Sequence, residues 1–415
     1  MQPTCPSDTL QDRDDAAAPA LDTPDRAAMR AAMIAMGTGG FAIGTGEFVI
    51  MGLLPEVATD LSITIPQAGH VISAYALGVV IGAPLLAVLA ANWPRRRLMM
   101  ALMLVFALGN FASALAPDYL TLNVLRFVAG LPHGTYFGVA ALMAASLVQP
   151  WQRAQAVGWV MLGLTSATLI GVPIAAWLGQ LLGWRAAFVF VGLIAVLAVV
   201  LVRRSVPEQT PQAGASPLRE LGALRRKQVW LTLGIGAIGL GGLFSVFSYI
   251  KPTLIEVAGM DAGSVPFVLA LFGLGMILGN VVGPKLADKA LMPTIGGLLV
   301  WAFVVLAAFV FTAHNVWLAS INVLLVGTVV AMGPTLQIRL MDVAGDAQML
   351  AAALNHSAFN MANALGAWLG GVAIAAGMGY PSTGWVGALL AVAGMAMFGW
   401  SMLADRATRR AATAR

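Results

Sequence analysis

The sequence predicts an all-α membrane protein with twelve transmembrane helices in two pseudo-symmetric six-helix bundles. Three observations predict it. Hydrophobic residues make up 59% of the 415 positions and charged ones 10%, with a mean hydropathy of +0.85; one soluble core of this length cannot hide so much apolar surface. Apolar stretches of membrane length recur along the chain. A basic polar stretch from Arg203 to Gln228 then divides them into two sets of six.

The first 28 residues carry Asp8, Asp12, Asp14, Asp15, Asp22 and Asp25 among Ala, Pro and Thr. Such a composition cannot bury a core and is expected to be disordered. It lacks the basic start and apolar run of a secretory signal. Cys5 is the one cysteine, which excludes disulfides and thiolate metal cages. Helices follow at 31–54, 67–91, 98–116, 119–147, 152–180 and 184–203. After the polar stretch come 228–251, 264–287, 294–312, 315–337, 348–377 and 382–403. These runs suit a hydrocarbon slab of ~30 Å, which calls for ~20 apolar residues in a helix, and they are too long for barrel strands. A helix also satisfies its own backbone hydrogen bonds. The 46 glycines fit close helix–helix approach in lipid. The expected organisation is a tail over 1–28, a bundle over 29–203, a linker over 204–227, a second bundle over 228–404 and a basic tail over 405–415.

Placing the N-terminus in the cytoplasm puts all but Arg126, Arg185 and Lys251 of the 23 Lys and Arg on the inner side or in the tails. This positive-inside bias predicts two cytoplasmic termini. The net charge of +5 arises from that asymmetry, and no basic soluble module for nucleic acid is visible.

The halves resemble each other. Gly78 and Gly82 match Gly275 and Gly279, and Leu89-Ala90-Ala91-Asn92 falls on Leu286-Ala287-Asp288-Lys289 at the same spacing of 197 residues. Asn123-Val124-Leu125 pairs with Asn322-Val323-Leu324, and Ala176-Trp177-Leu178-Gly179 with Ala367-Trp368-Leu369-Gly370. Twin six-helix halves around a midplane site suit alternating access; a duplicated scaffold without transport is the bland alternative.

An ionisable group at membrane depth is costly unless paired or hydrated, so it marks function by default. Glu47 lies seven residues before Leu54, and Arg126 seven after Tyr119, which places both ~10 Å below the outer surface at 1.5 Å per residue. A Glu47–Arg126 pair across one cavity is expected, either for proton coupling or as a static lock. His133 is two turns beyond Arg126 on the same face and suits a proton relay or a substrate hydrogen bond, or a local polar bond beside Pro132. In the second half, His356, Asn360 and Asn363 share a face, next to Asn355. With Asn123 and Tyr249 they form the expected substrate-binding set, although amides also serve as interhelical glue. Asn280, Asn322 and Gln337 are weaker candidates. There is no phosphate loop for ATP, no metal-spaced His/Cys cluster, and no nucleophile with a partnered base. No enzyme activity and no cofactor are therefore expected.

Thr45-Gly46-Glu47-Phe48 running to Gly52-Leu53-Leu54-Pro55 resembles the first-helix signature of the drug:proton antiporter group of the major facilitator superfamily. Arg126-Phe127, Gly130-Leu131-Pro132-His133-Gly134 and Phe137-Gly138 resemble its fourth-helix motif, whose arginine is linked in the family to proton transfer. Gly171-Val172-Pro173, Gly179 and Gly183-Trp184-Arg185 resemble the fifth-helix segment of its exporters. The likeness covers nearly everything after residue 30 and is nearest to sugar-efflux and chloramphenicol-resistance members. It implies a monomeric transporter in the bacterial inner membrane, with a small molecule and protons as its partners and lipid around it.

Two departures stand out. The aspartate the family carries after its second helix is Ala91 here, though Asp288 stands at the equivalent place in the second half. A carboxylate there meets helix N-termini and basic side chains that hold the inner gate. Gating is therefore expected from Arg95, Arg96, Arg97 and Asp288, with Gly171 and Pro173 in the fifth helix. That fifth-helix motif itself is degenerate, with Val172 inside it and Ala167 where a glycine is usual. The function expected from all this is proton-driven export of a small organic solute, such as a sugar or drug. The alternatives are a proton-independent uniporter or importer of the same fold, or a non-transporting receptor or scaffold.

Overall fold

The computed structural model describes residues 26–63, 65–209, 216–261 and 264–413. The expected disordered tail up to residue 25, with Cys5, lies outside them. The described residues hold helices and no strand. The first bundle contains α1 (Arg26–Phe48), α2 (Ile65–Leu89), α3 (Arg95–Ala114) and α4 (Tyr119–Ser146), followed by α5 (Pro150–Leu182) and α6 (Trp184–Ser205). The second contains α7 (Lys227–Phe247), α8 (Val265–Lys289), α9 (Leu291–Thr312), α10 (Val316–Val343), α11 (Gln348–Met378) and α12 (Ser382–Thr413). A short linker helix, Pro217–Glu220, lies between them.

Eleven of these helices are long and apolar enough to cross a membrane, and α1 falls short of that measure. The physical reason is its position. Gly39, Gly40, Gly44, Thr45 and Gly46 of α1 are buried among other helices, so the helix needs little lipid-facing apolar surface. It also starts at Arg26, so residues 26–28 are helical rather than tail. Its α-helical part stops at Phe48, passes through one 3-10 turn over Val49–Gly52, and restarts as a separate short helix, Leu54–Asp60. Pro55 at the first turn of that short helix favours such a restart. At the other end α12 continues to Thr413, through the residues expected as a basic tail. Ala and Arg are good helix formers and no breaker intervenes.

Glycines set the packing and display the repeat. A Cβ on Gly78 would overlap the Phe127 carbonyl, and one on Gly130 the Tyr75 carbonyl. In the second half Gly275 meets the Leu324 carbonyl and Gly327 the Phe272 carbonyl in the same way. All four residues of the first set have their counterpart 197 positions later. The α2–α4 and α8–α10 contacts are thus copies of one another.

The halves close together at one end, the end that carries the linker. The buried core of the first bundle runs on into Ile338, Leu340, Met341 and Met349–Ala353 of the second. At the far end a separate cluster, including Val49, Leu53, Leu122 and Phe188, belongs to the first half alone. Arg153 pairs with Asp342 at 3.1 Å, and Gly138 lets α4 approach the Ala353 backbone nitrogen, to which a Cβ would come within 2.8 Å.

Candidate functional site

Arg126 is fully buried on α4. Its guanidinium donates to the Gly46 carbonyl of α1 at 2.7 Å and to Asn110 Oδ1 of α3 at 3.3 Å. The rings of Tyr75 (α2) and Phe188 (α6) lie 4.5 and 5.0 Å from its central carbon. Four other helices therefore hold one cation, by two charge-assisted hydrogen bonds and two aromatic faces. Its Nε has no protein partner.

Glu47 follows Gly46 directly and is only partly buried. It interacts electrostatically with Arg126, but among the described residues no ion pair joins the two. The expected direct pair is thus corrected to a neighbouring one. The short reach from α4 to α1 brings the arginine fork to the backbone, one residue before the carboxylate.

From Arg126 a polar chain leads toward the linker end. The Tyr75 hydroxyl shares a hydrogen bond of 3.1 Å with His133 Nδ1. The His133 ring lies 5.3 Å from that of His356, on α11 of the other half. His356 stacks on Phe137 with 4.4 Å between centroids, and its Nε2 has no partner. Two histidines chosen from the sequence in separate halves therefore meet across the interface. Phe137, part of the fourth-helix motif, and Tyr75 and Asn110 complete this constellation; the last two were not singled out from the sequence. A lone amide inside the apolar α3, and a tyrosine one turn from Gly78 on the α4-facing side of α2, were the available signals.

The amides behave differently. Asn360 donates to the His356 carbonyl and Asn123 to the Tyr119 carbonyl, both on their own helices. Asn355 donates to Gly333 and Gln337 to Ala352, joining α10 to α11. Asn322 donates to Val305, and Asn280 is buried with its Oδ1 unpartnered. Tyr249 donates to the Ala367 carbonyl and packs on Gly370 and Gly371, which ties the end of α7 to α11. Asn363 is partly buried. A cavity of about 1010 Å³ lies elsewhere, on the flank formed by α1, α5 and α6, lined by Met33, Phe41, Trp159 and Ile194 with Arg30 at one end. None of the polar candidates lines it, so polar chemistry and not volume locates the site.

The gating candidates also separate. Arg96 and Arg97 pair with Glu208 at 3.2 and 3.0 Å, and Arg95 donates to Gln209; all three fasten the start of the linker to the first half. Asp288 accepts the backbone N–H groups of Ala154 and Gln155 at 2.8 and 2.9 Å, so it caps α5 from the other half. Gly171 packs against Thr45 and Phe41 of α1. It ends a π-helical segment, Ala167–Gly171, after which regular helix resumes at Val172 with Pro173 in its first turn; such bulges are frequent at functional positions.

Comparison with known proteins decides the family. The family model described as Major Facilitator Superfamily matches residues 36–348. This chain belongs to the Major Facilitator Superfamily. It is 40% identical to the inner membrane transport protein YdhP of Escherichia coli K12, over 88% of this chain and 94% of that protein. It is 33% identical to the chloramphenicol resistance protein of Streptomyces lividans, over 78% and 84%. Among solved structures, the transporter FucP in its outward conformation superposes with a TM-score of 0.72 at 15% identity, covering 89% of this chain and 98% of that one. This Major Facilitator Superfamily chain is a multi-pass membrane transporter and not an enzyme.

Proposed function

We propose that this transporter exports a small organic solute, a sugar or an amphipathic drug, in exchange for protons. In this reading the two halves rock about a site at mid-depth. The carrying observation is the buried Arg126 beside a single partly exposed carboxylate. Glu47 keeps part of its surface exposed, and Arg126 is held beside it by the Gly46 carbonyl without a direct pair. Protonation of Glu47 changes the charge next to Arg126, and the Tyr75–His133–His356 chain carries that change to the interface between the halves. The basic residues put the linker end and both termini in the cytoplasm. In this reading the shut linker end makes this an inward-closed state, with the α11 amides and His356 on the substrate side. The π segment before Pro173 and the chloramphenicol resistance relative favour export over import.

The test uses purified protein in liposomes, with chloramphenicol and a panel of sugars as probes under an imposed pH gradient. Wild type should accumulate one of the probes, and Glu47→Gln should fold normally but not respond to the gradient. Equal, gradient-driven transport by both proteins removes Glu47 from the mechanism.

A further inference from the structure

The first α-helical turn of α5, which begins at Arg153 after the 3-10 turn Pro150–Gln152, and that of α11 are equivalent in the two halves, and neither is capped by its own N-cap side chain. At α5 the residue is Gln152, without a capping bond, and at α11 it is Ala347, which has no group to offer. The N–H groups at a helix start have no partner within the helix and require another acceptor when they are buried. For α5 that acceptor is Asp288, which binds the N–H groups of Ala154 and Gln155, the second and third residues of its α-helical part. The mirror-related position for α11 is Ala91, which cannot accept.

The vacancy is filled from the linker. Glu220 Oε2 accepts the N–H of Leu350 at 2.8 Å, with the Met349 N–H alongside. Met349 and Leu350 are the second and third residues of α11, the same two places Asp288 serves in α5. Glu220 is 7% exposed. Its neighbour Arg219 pairs with Asp346 at 2.8 Å, just ahead of α11. Arg95, one turn beyond Ala91, acts on Glu220 electrostatically. Burial pushes the Glu220 carboxyl above the ordinary value, and the two backbone N–H groups with Arg219 and Arg95 pull against it. The linker's start is already held to the first half through Glu208 and Gln209.

We infer that Glu220 is the gate-positioning residue that stands in for the carboxylate missing at Ala91, so that the linker helix is a working part of the linker-end gate. Asp288 and Glu220 then form a matched pair of latches, one on each side of the pseudo-twofold axis. Opening that end requires both helix starts to lose their acceptors. The inference rests on the reading that the halves rock.

The experiment measures distance distributions between spin labels at Asn92→Cys and Lys289→Cys in a Cys5→Ser background, without substrate or pH gradient. Wild type should give a dominant short distance. Glu220→Ala should raise the ratio of long to short by roughly fivefold, the factor that goes with one lost helix cap. Glu220→Gln keeps an acceptor oxygen without the charge and should move the ratio less. Ala91→Asp added to Glu220→Ala should restore the wild-type distribution, which a merely structural contact would not do. Unchanged distances in Glu220→Ala, or an opening that Ala91→Asp does not reverse, overturns the inference. A distribution that stays short even in Asp288→Asn and Glu220→Ala combined instead counts against rocking itself.

Discussion

Replacing Arg126 separates charge from structure. The guanidinium holds acceptors at 2.7 and 3.3 Å on two helices and lies over two rings. A lysine is a point charge that reaches one acceptor but not both, and it cannot lie flat on two aromatic faces. A hydrogen bond from a charged donor contributes ~1.5–3 kcal/mol, and the longer bond to Asn110 belongs at the low end of that range. Weakened contact with Tyr75 and Phe188 adds about 1 kcal/mol. Arg126→Lys should therefore lose about 2–3 kcal/mol and retain part of the transport. Arg126→Met leaves the Gly46 carbonyl and the buried Asn110 oxygen without their donor, and removing one partner of such a buried charged contact costs about 3–5 kcal/mol. It should melt below the Lys variant and transport nothing in a pH gradient. A Met variant that still couples flux to pH would refute the view that this cation is kept for coupling.

Tyr75→Phe keeps the ring beneath Arg126 but removes the bond to His133, a loss of about 0.5–1.5 kcal/mol; the pH profile of transport should move while maximal flux survives, as stopped-flow flux across a pH series would read. Gly138→Val places a Cβ 2.8 Å from the Ala353 backbone nitrogen. The closed linker end should become disfavoured, lengthening the spin-label distance between positions 92 and 289, and an unchanged short distance would be inconsistent with α4–α11 closure. At the far end, hydrogen bonds from Arg185 and Trp184 hold the Asp60 carboxyl below its usual value of 3.8. A carboxylate depressed in the folded state contributes stability above its ordinary value and loses it as the pH falls further. Asp60→Asn should thus lower the melting temperature at neutral pH, and the difference should shrink as the pH drops below 3.8; a gap that does not change with pH would show that the bond is not ionic.

Glycines at helix crossings were legible because backbone contact admits no other residue. Gly78, Gly82, Gly275 and Gly279 therefore announced both the repeat and the packing. Arg126, Glu47 and His133 were legible for a different reason, as costly groups in apolar spans. Their partners were not. Whether Arg126 meets a carboxylate or a carbonyl depends on a shift of one residue along α1, which no spacing rule contains. The meeting of His133 with His356 depends on how the halves dock. The amides of α11 misled in part, since a helical Asn can bond its own preceding turn, as Asn360 does. Glu220 was invisible because a carboxylate in a charged linker looks like any solvated surface group until the helix start beneath it is seen.

Proton movement driven by the substrate itself tests the central claim most directly. Liposomes holding the purified transporter, a pH-sensitive dye and a transported probe are diluted into probe-free buffer at equal pH, with the membrane potential clamped. Exchange predicts that the interior acidifies as the probe leaves, and that Glu47→Gln abolishes the signal. Probe loss with no change in internal pH, or with alkalinisation, would contradict it.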